Sequence, residues 1–95
     1  MVDIPRPMFS LGQTVVTPGT AEALQDARQT ADEFIRRHVR GDWGDVDSED
    51  AETNERALKE GARIVSVYHT TKGVKVCVIT EADRSSTCIL LPEEY

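Results

Sequence analysis

Four residues in this chain carry side chains suited to proton transfer and anion handling: His38, Asp42, Glu81 and Arg84. A histidine four residues before an aspartate, "HVRGD", has the types a general base and its orienting carboxylate need. Arg84 in "TEADRSS" could clamp a carboxylate, with Glu81 nearby. A small hydrolase-like or nucleic-acid-processing enzyme built on these four is one reading of the chain. The spacing is weak support for it. Gly41 breaks a helix between His38 and Asp42, and His38 falls on an apolar stripe, where a core histidine is the simpler role. His69 stands beside a turn at the end of a strand. No phosphate-cradling glycine loop, zinc spacing or calcium loop occurs, so neither a cofactor nor a metal is expected.

The second reading starts from charge. The net charge is −6, from 17 acids and 11 bases. Residues 41–60 hold eight of those acids and two of the bases, so this segment accounts for the whole excess. Asp42, Asp45, Asp47, Glu49, Asp50 and Glu52, with Trp43 among them, form a candidate surface for a basic host or plasmid-encoded protein. A solvated helix face is the plainer alternative. Direct nucleic-acid binding is disfavoured, because the only basic cluster is Arg36, Arg37 and Arg40.

Elements must position these residues. Ninety-five residues, 39% of them hydrophobic, suit one domain with a modest core. Residues 1–8, with Pro5 and Pro7, read as an extended arm, and residues 9–95 as a single α+β domain. "FSLGQTVV" alternates as a short strand, and Gly12 marks a bulge or a close approach. Thr17 or Thr20 opens a first helix that runs to about Arg28. "TADE" at 30–33 has the form of a capping box. The helix after it places Ala31, Phe34, Ile35, His38 and Val39 on one face and stops at Gly41. "GDWGD" reads as a tight corner with Trp43 folded back as a plug. Asp47 or Ser48 then caps a third, acidic helix that ends at Gly61.

The period then shortens to two. "RIVSVYHT", "VKVCVITE" and "SSTCILLP" predict a three-stranded antiparallel meander packed on the two or three helices. A two-residue turn at Thr71-Lys72 pairs Val67 with Val76. A turn between Ala82 and Asp83 pairs Ile89 with Val76 and sets Cys77 opposite Cys88. Val65, Val67, Val74, Val76, Val78, Ile89 and Leu91 become the core face. The opposite face is too apolar to be simply wet, and either packs on the N-terminal strand and arm or forms a homodimer. The two cysteines make no disulfide framework. No apolar run could span a membrane and no leader is visible at residues 1–10, so a cytoplasmic protein is expected.

The segments "LGQTVVTPG", "FIRRHVRGDWGDV", "NERALKEGARIVSVYHT" and "VITEADRSSTCILLPEEY" together resemble a family of small uncharacterised bacterial proteins often carried on plasmids and integrating elements. The resemblance covers residues 9–95. That family often has tryptophan near Cys77 and threonine near Cys88, a departure that speaks against an essential cysteine. The resemblance implies a mobile-element setting and brings no catalytic residues. Combined with the acidic segment, it favours a non-enzymatic interaction protein, such as an anti-restriction or anti-CRISPR inhibitor.

Overall fold

The computed structural model describes residues 7–95. Residues 1–6, most of the expected N-terminal arm, lie outside the described residues. At its end the Met8 amide donates to the Val39 carbonyl at 2.8 Å. The fold is α+β. Strand β1 (Gln13–Val16) precedes helices α1 (Pro18–Ala27), α2 (Ala31–Val39) and α3 (Ser48–Glu60). Strands β2 (Ile64–His69), β3 (Lys75–Thr80) and β4 (Ser86–Leu90) follow, with a short 3-10 turn at Pro92–Glu94.

Local chemistry sets the helix ends. Thr17 caps α1, its hydroxyl accepting from the Thr20 amide. The helix closes on Arg28 in the left-handed region. The Asp47 carboxylate caps α3, and Gly61 ends it at φ 72°. Helix α2 ends through paired bonds from Gly41 N–H to His38 O and from Asp42 N–H to Arg37 O. The capping box at its start does not form. Thr30 makes no side-chain cap, and the Glu33 carboxylate, which the box would turn back to Thr30, accepts from Gln29 Nε2 at 2.6 Å instead.

The sheet is mixed, in the order β1-β4-β3-β2. The last three strands form the expected antiparallel meander, but the N-terminal strand joins the same sheet, parallel to β4. Gly12, at φ 63°, permits this. A Cβ there would sit 2.3 Å from the Ser85 carbonyl oxygen.

Two registers differ from expectation. In the first hairpin Tyr68, not Val67, faces Val76. The loop has three residues, Thr71 to Gly73, closed by Thr70 N–H to Val74 O at 2.9 Å, with Gly73 at φ 81°. One extra residue turns β2 over, because side chains alternate with period two. Ile64, Ser66 and Tyr68 therefore point into the core, and Val65 and Val67 point away. The gain is burial of the larger side chains. In the second hairpin the loop is longer than a two-residue turn, with Arg84 at φ 60° near its end. The slip there is two residues, so faces are kept and partners change. Cys77 lies opposite Leu90 and Cys88 opposite Ile79, so the cysteines are diagonal rather than paired.

The main core joins Leu24 of α1 and Phe34 and Ile35 of α2 to Tyr68, Val76, Val78 and Ile89 of the sheet. A second cluster, Trp43, Ala57 and Ile64 with Phe9 and Leu58, seats α3.

Candidate functional site

His38 sits on the buried face of α2, and none of its surface is exposed. Its imidazole meets Ser66 Oγ at 2.6 Å through Nδ1 and Thr80 Oγ1 at 2.9 Å through Nε2. Thr80 Oγ1 is 2.7 Å from Thr87 Oγ1, and the Thr87 hydroxyl donates to the Leu11 carbonyl at 2.7 Å. This chain of bonds assigns the protons. Thr87 spends its only hydrogen on Leu11, so Thr80 donates to Thr87 and accepts from His38. His38 is then the Nε2–H tautomer, and Nδ1 accepts from Ser66. No carboxylate enters the network, and burial pushes the imidazole pKa down to about 3.

A serine oxygen at 2.6 Å from a histidine has the geometry of a nucleophile and its base. Here Ser66, His38, Thr80 and Thr87 are all without exposed surface, so no substrate reaches either atom. What the arrangement does is satisfy four buried polar side chains where helix α2 crosses the sheet. Nothing in the spacing of the sequence marks Ser66, Thr80 and Thr87 as partners of His38. The alternation of β2, once in its true register, is the signal that points Ser66 inward.

The other three candidate residues are occupied separately. Arg37 holds Asp42 through Nε to Oδ2 at 2.7 Å, and this bond keeps the Asp42 carboxyl below the usual range. Glu81 pairs with Arg63 at 3.2 Å. Arg84 donates to the Ala57 and Ala62 carbonyls at 3.0 and 2.7 Å, and to Glu81 O and Ala82 O in its own hairpin. Its guanidinium thus closes the C-terminal end of α3. Arg84 and Glu81 meet only through the Glu81 main-chain carbonyl within their hairpin, and none of these bonds joins His38 or Asp42 to that pair.

The acidic segment divides in the same way. Trp43 is 6% exposed, so its ring is a core element rather than a contact surface. Its Nε1–H donates to Glu55 at 2.9 Å, and its ring stacks near Phe9. Asp45 bonds His69 Nδ1 at 2.7 Å, and Asp47 is the helix cap. Glu49, Asp50 and Glu52 stay exposed on α3, with no ion pair among the described residues.

"GDWGD" also does something the sequence did not reveal. Trp43 O accepts from the Val67 amide at 3.0 Å, and the Asp45 amide donates to Val67 O at 2.6 Å. This short parallel bridge covers the free edge of β2. Asn54 of α3 covers the next step, donating to Val65 O at 2.8 Å and accepting from Val65 N–H at 3.1 Å. Gly44 is required for the approach, since a Cβ there would lie 2.0 Å from Val67 O at φ 76°.

Arg36, Arg37 and Arg40 line an open groove of about 540 Å³ with Thr30, Asp32 and Glu33. Acids in the same wall temper its positive charge. Among the described residues, no cluster of three or more histidine, cysteine, aspartate or glutamate side chains could hold a metal ion. Burial raises both cysteine thiols, away from the reactive thiolate. No helix of the described residues is long and apolar enough to cross a membrane. No protein-family model, no curated protein and no solved structure matches this chain.

Proposed function

We propose that this chain is a non-enzymatic interaction protein of mobile genetic elements, acting in the cytoplasm by docking an acidic helix on a basic protein. The observation that carries this reading is where uncommitted charge remains. His38 is sealed in a hydroxyl network, and Arg84 is spent on carbonyls. Glu49, Asp50 and Glu52 project from α3 and are free to meet Lys or Arg side chains. Inhibition of a host defence nuclease, of the anti-restriction or anti-CRISPR kind, is the role that fits such a surface. Carboxylates on a helix can occupy the basic groove where nucleic acid would lie. The mobile-element setting rests on the resemblance of the motif segments.

The test is affinity capture from a host lysate at low and at high salt, with the wild type and with Glu49→Lys plus Glu52→Lys. The expected result is a basic partner held at low salt, released at high salt and lost in the double variant. A partner that binds both proteins equally in high salt would rule out the acidic helix. Turnover of a substrate that is abolished by His38→Gln in a folded protein would instead favour the enzyme reading.

A further inference from the structure

Helix α3 and strand β2 leave an open groove of about 250 Å³ between them. Its apolar walls are Val46, Val65 and Val67, all half-buried. Val46 borders the cluster around Trp43, and the other two border the cluster around Ile79, so the groove follows the seam between two packed regions. Asn54 also lines it, with its side-chain oxygen and nitrogen both engaged by the Val65 main chain. The volume falls below the roughly 300–1,000 Å³ of small-molecule sites and suits a single long side chain.

The two ends of the groove differ in charge. Asp50, exposed in the first turn of α3, stands where Val46 leads into the helix. Its carboxylate makes no hydrogen bond or ion pair among the described residues. Arg63 stands at the other end, two positions before Val65. Its guanidinium is held by Glu81 at 3.2 Å and by the Tyr95 hydroxyl at 2.8 Å. The charge of Arg63 is thus met within the chain, and that of Asp50 is not. These features select an occupant. An acidic side chain would be repelled by Asp50. A purely apolar one would cover Asp50 without pairing it, at a cost in lost hydration. A long basic side chain satisfies both parts, with its methylene stem on the valines and its cation on the carboxylate. Arginine suits the place better than lysine, because its guanidinium is more weakly hydrated and takes both carboxylate oxygens at once.

We infer that this groove is the anchor point for a basic protein partner, and that it receives one arginine side chain from that partner. The stem lies against Val46, Val65 and Val67, and the guanidinium pairs with Asp50. This rests on the acidic-helix reading and adds to it a specific point of attachment. Exposed ion pairs alone hold little, whereas a charge pair backed by an apolar wall can dominate an interface. Glu49 and Glu52 then steer the encounter, and the groove fixes the register of the bound partner.

Titration of the full chain with the peptide acetyl-Gly-Arg-Gly-amide, followed by methyl and amide chemical shifts, tests it. The expected result is saturable shifts at Val46, Asp50, Val65 and Val67, with dissociation on the order of 1–10 mM. The same peptide with citrulline, which keeps the shape and lacks the charge, should leave these signals in place. Asp50→Asn should weaken arginine binding by at least about fivefold. Glu22→Gln, which removes an exposed acid on α1, should leave it unchanged. The inference is overturned by an absence of shifts up to about 50 mM peptide. Shifts spread evenly over the exposed acids overturn it too, as does citrulline that binds as well as arginine. Full binding in Asp50→Asn has the same force. The capture experiment separates this result from the acidic-helix reading. A salt-sensitive partner lost with Glu49→Lys plus Glu52→Lys but held undiminished by Asp50→Asn overturns the groove alone. Arginine binding in the groove with no basic partner in the lysate overturns the acidic-helix reading and leaves the groove as an arginine site.

Discussion

His38 is where a candidate catalytic residue becomes a structural one, and its protonation is measurable. Nitrogen chemical shifts should report the Nε2–H tautomer at neutral pH, with no titration down to about pH 4. The sign of the pH effect follows from the direction of the shift. The unfolded chain takes up a proton near the ordinary histidine value of 6.5, whereas the folded chain resists protonation until about pH 3. The unfolded state therefore binds more protons between those limits. Stability from this residue is complete above about pH 6.5. It falls by up to about 1.4 kcal/mol per pH unit as pH drops toward 3. His38→Leu should remove that slope. It should also cost about 2–4 kcal/mol, because Ser66 and Thr80 are left buried with one partner fewer. Urea unfolding of both proteins at pH 7 and pH 4.5 measures both effects. A slope that is equal in the two proteins would show that another group titrates. The stripe that buries His38 could be read from spacing alone. Its hydroxyl partners could not, since Ser66, Thr80 and Thr87 lie 28 to 49 positions downstream and depend on strand register.

At the scale of elements, the two edges of the sheet are treated differently. The outward main-chain groups of β2 at Val65 and Val67 are taken by Asn54, Trp43 and Asp45. Among the described residues, strand β1 turns the main-chain groups of Thr14 and Val16 to an edge with no neighbouring strand, since Gln13 and Thr17 are the residues that donate to the β4 side. Hydrogen exchange should find Val65 and Val67 protected and Thr14 and Val16 fast, although all four sit on edge strands. Asn54→Ala should cost about 1–3 kcal/mol by stranding both Val65 groups, and Val65 protection should fall with it. Gly44→Ala should cost at least about 2 kcal/mol, as the added carbon meets the Val67 carbonyl and the backbone is left-handed. Normal stability in that variant would mean the corner can move away from β2. Helix bounds and caps at Thr17, Asp47, Gly41 and Gly61 were legible because each cap is a local chemical event. The hairpins were not, because Gly73 could sit inside the loop or after it, and one residue of difference reverses a whole strand.

For the molecule as a whole, charge is the property most open to test. The excess of acids on α3 continues to its last residue, Glu60, where a negative side chain opposes the helix dipole. Glu60→Lys should stabilise the protein by about 0.3–1 kcal/mol in low salt, with the gain shrinking near about 1 M salt. A gain that ignores salt would point to packing instead. The acidic excess was legible from composition. Which acids are free was not, because the ties from Asp42 to Arg37, Asp45 to His69 and Glu55 to Trp43 exist only once the chain has folded.

The parallel pairing of β1 with β4 has a consequence in time. Gln13 pairs with Ser86, and each later residue of β1 keeps the same offset of 86 − 13 = 73 positions. On a ribosome adding roughly 5–20 residues per second, β1 emerges about 4–15 seconds before its ladder partner exists. The helices and the first hairpin can assemble in that interval. The Leu11 carbonyl, which terminates the His38 network, waits for Thr87. The interior of this protein is therefore completed only once β4 has emerged, when that strand threads between one that is already paired and one that has been waiting.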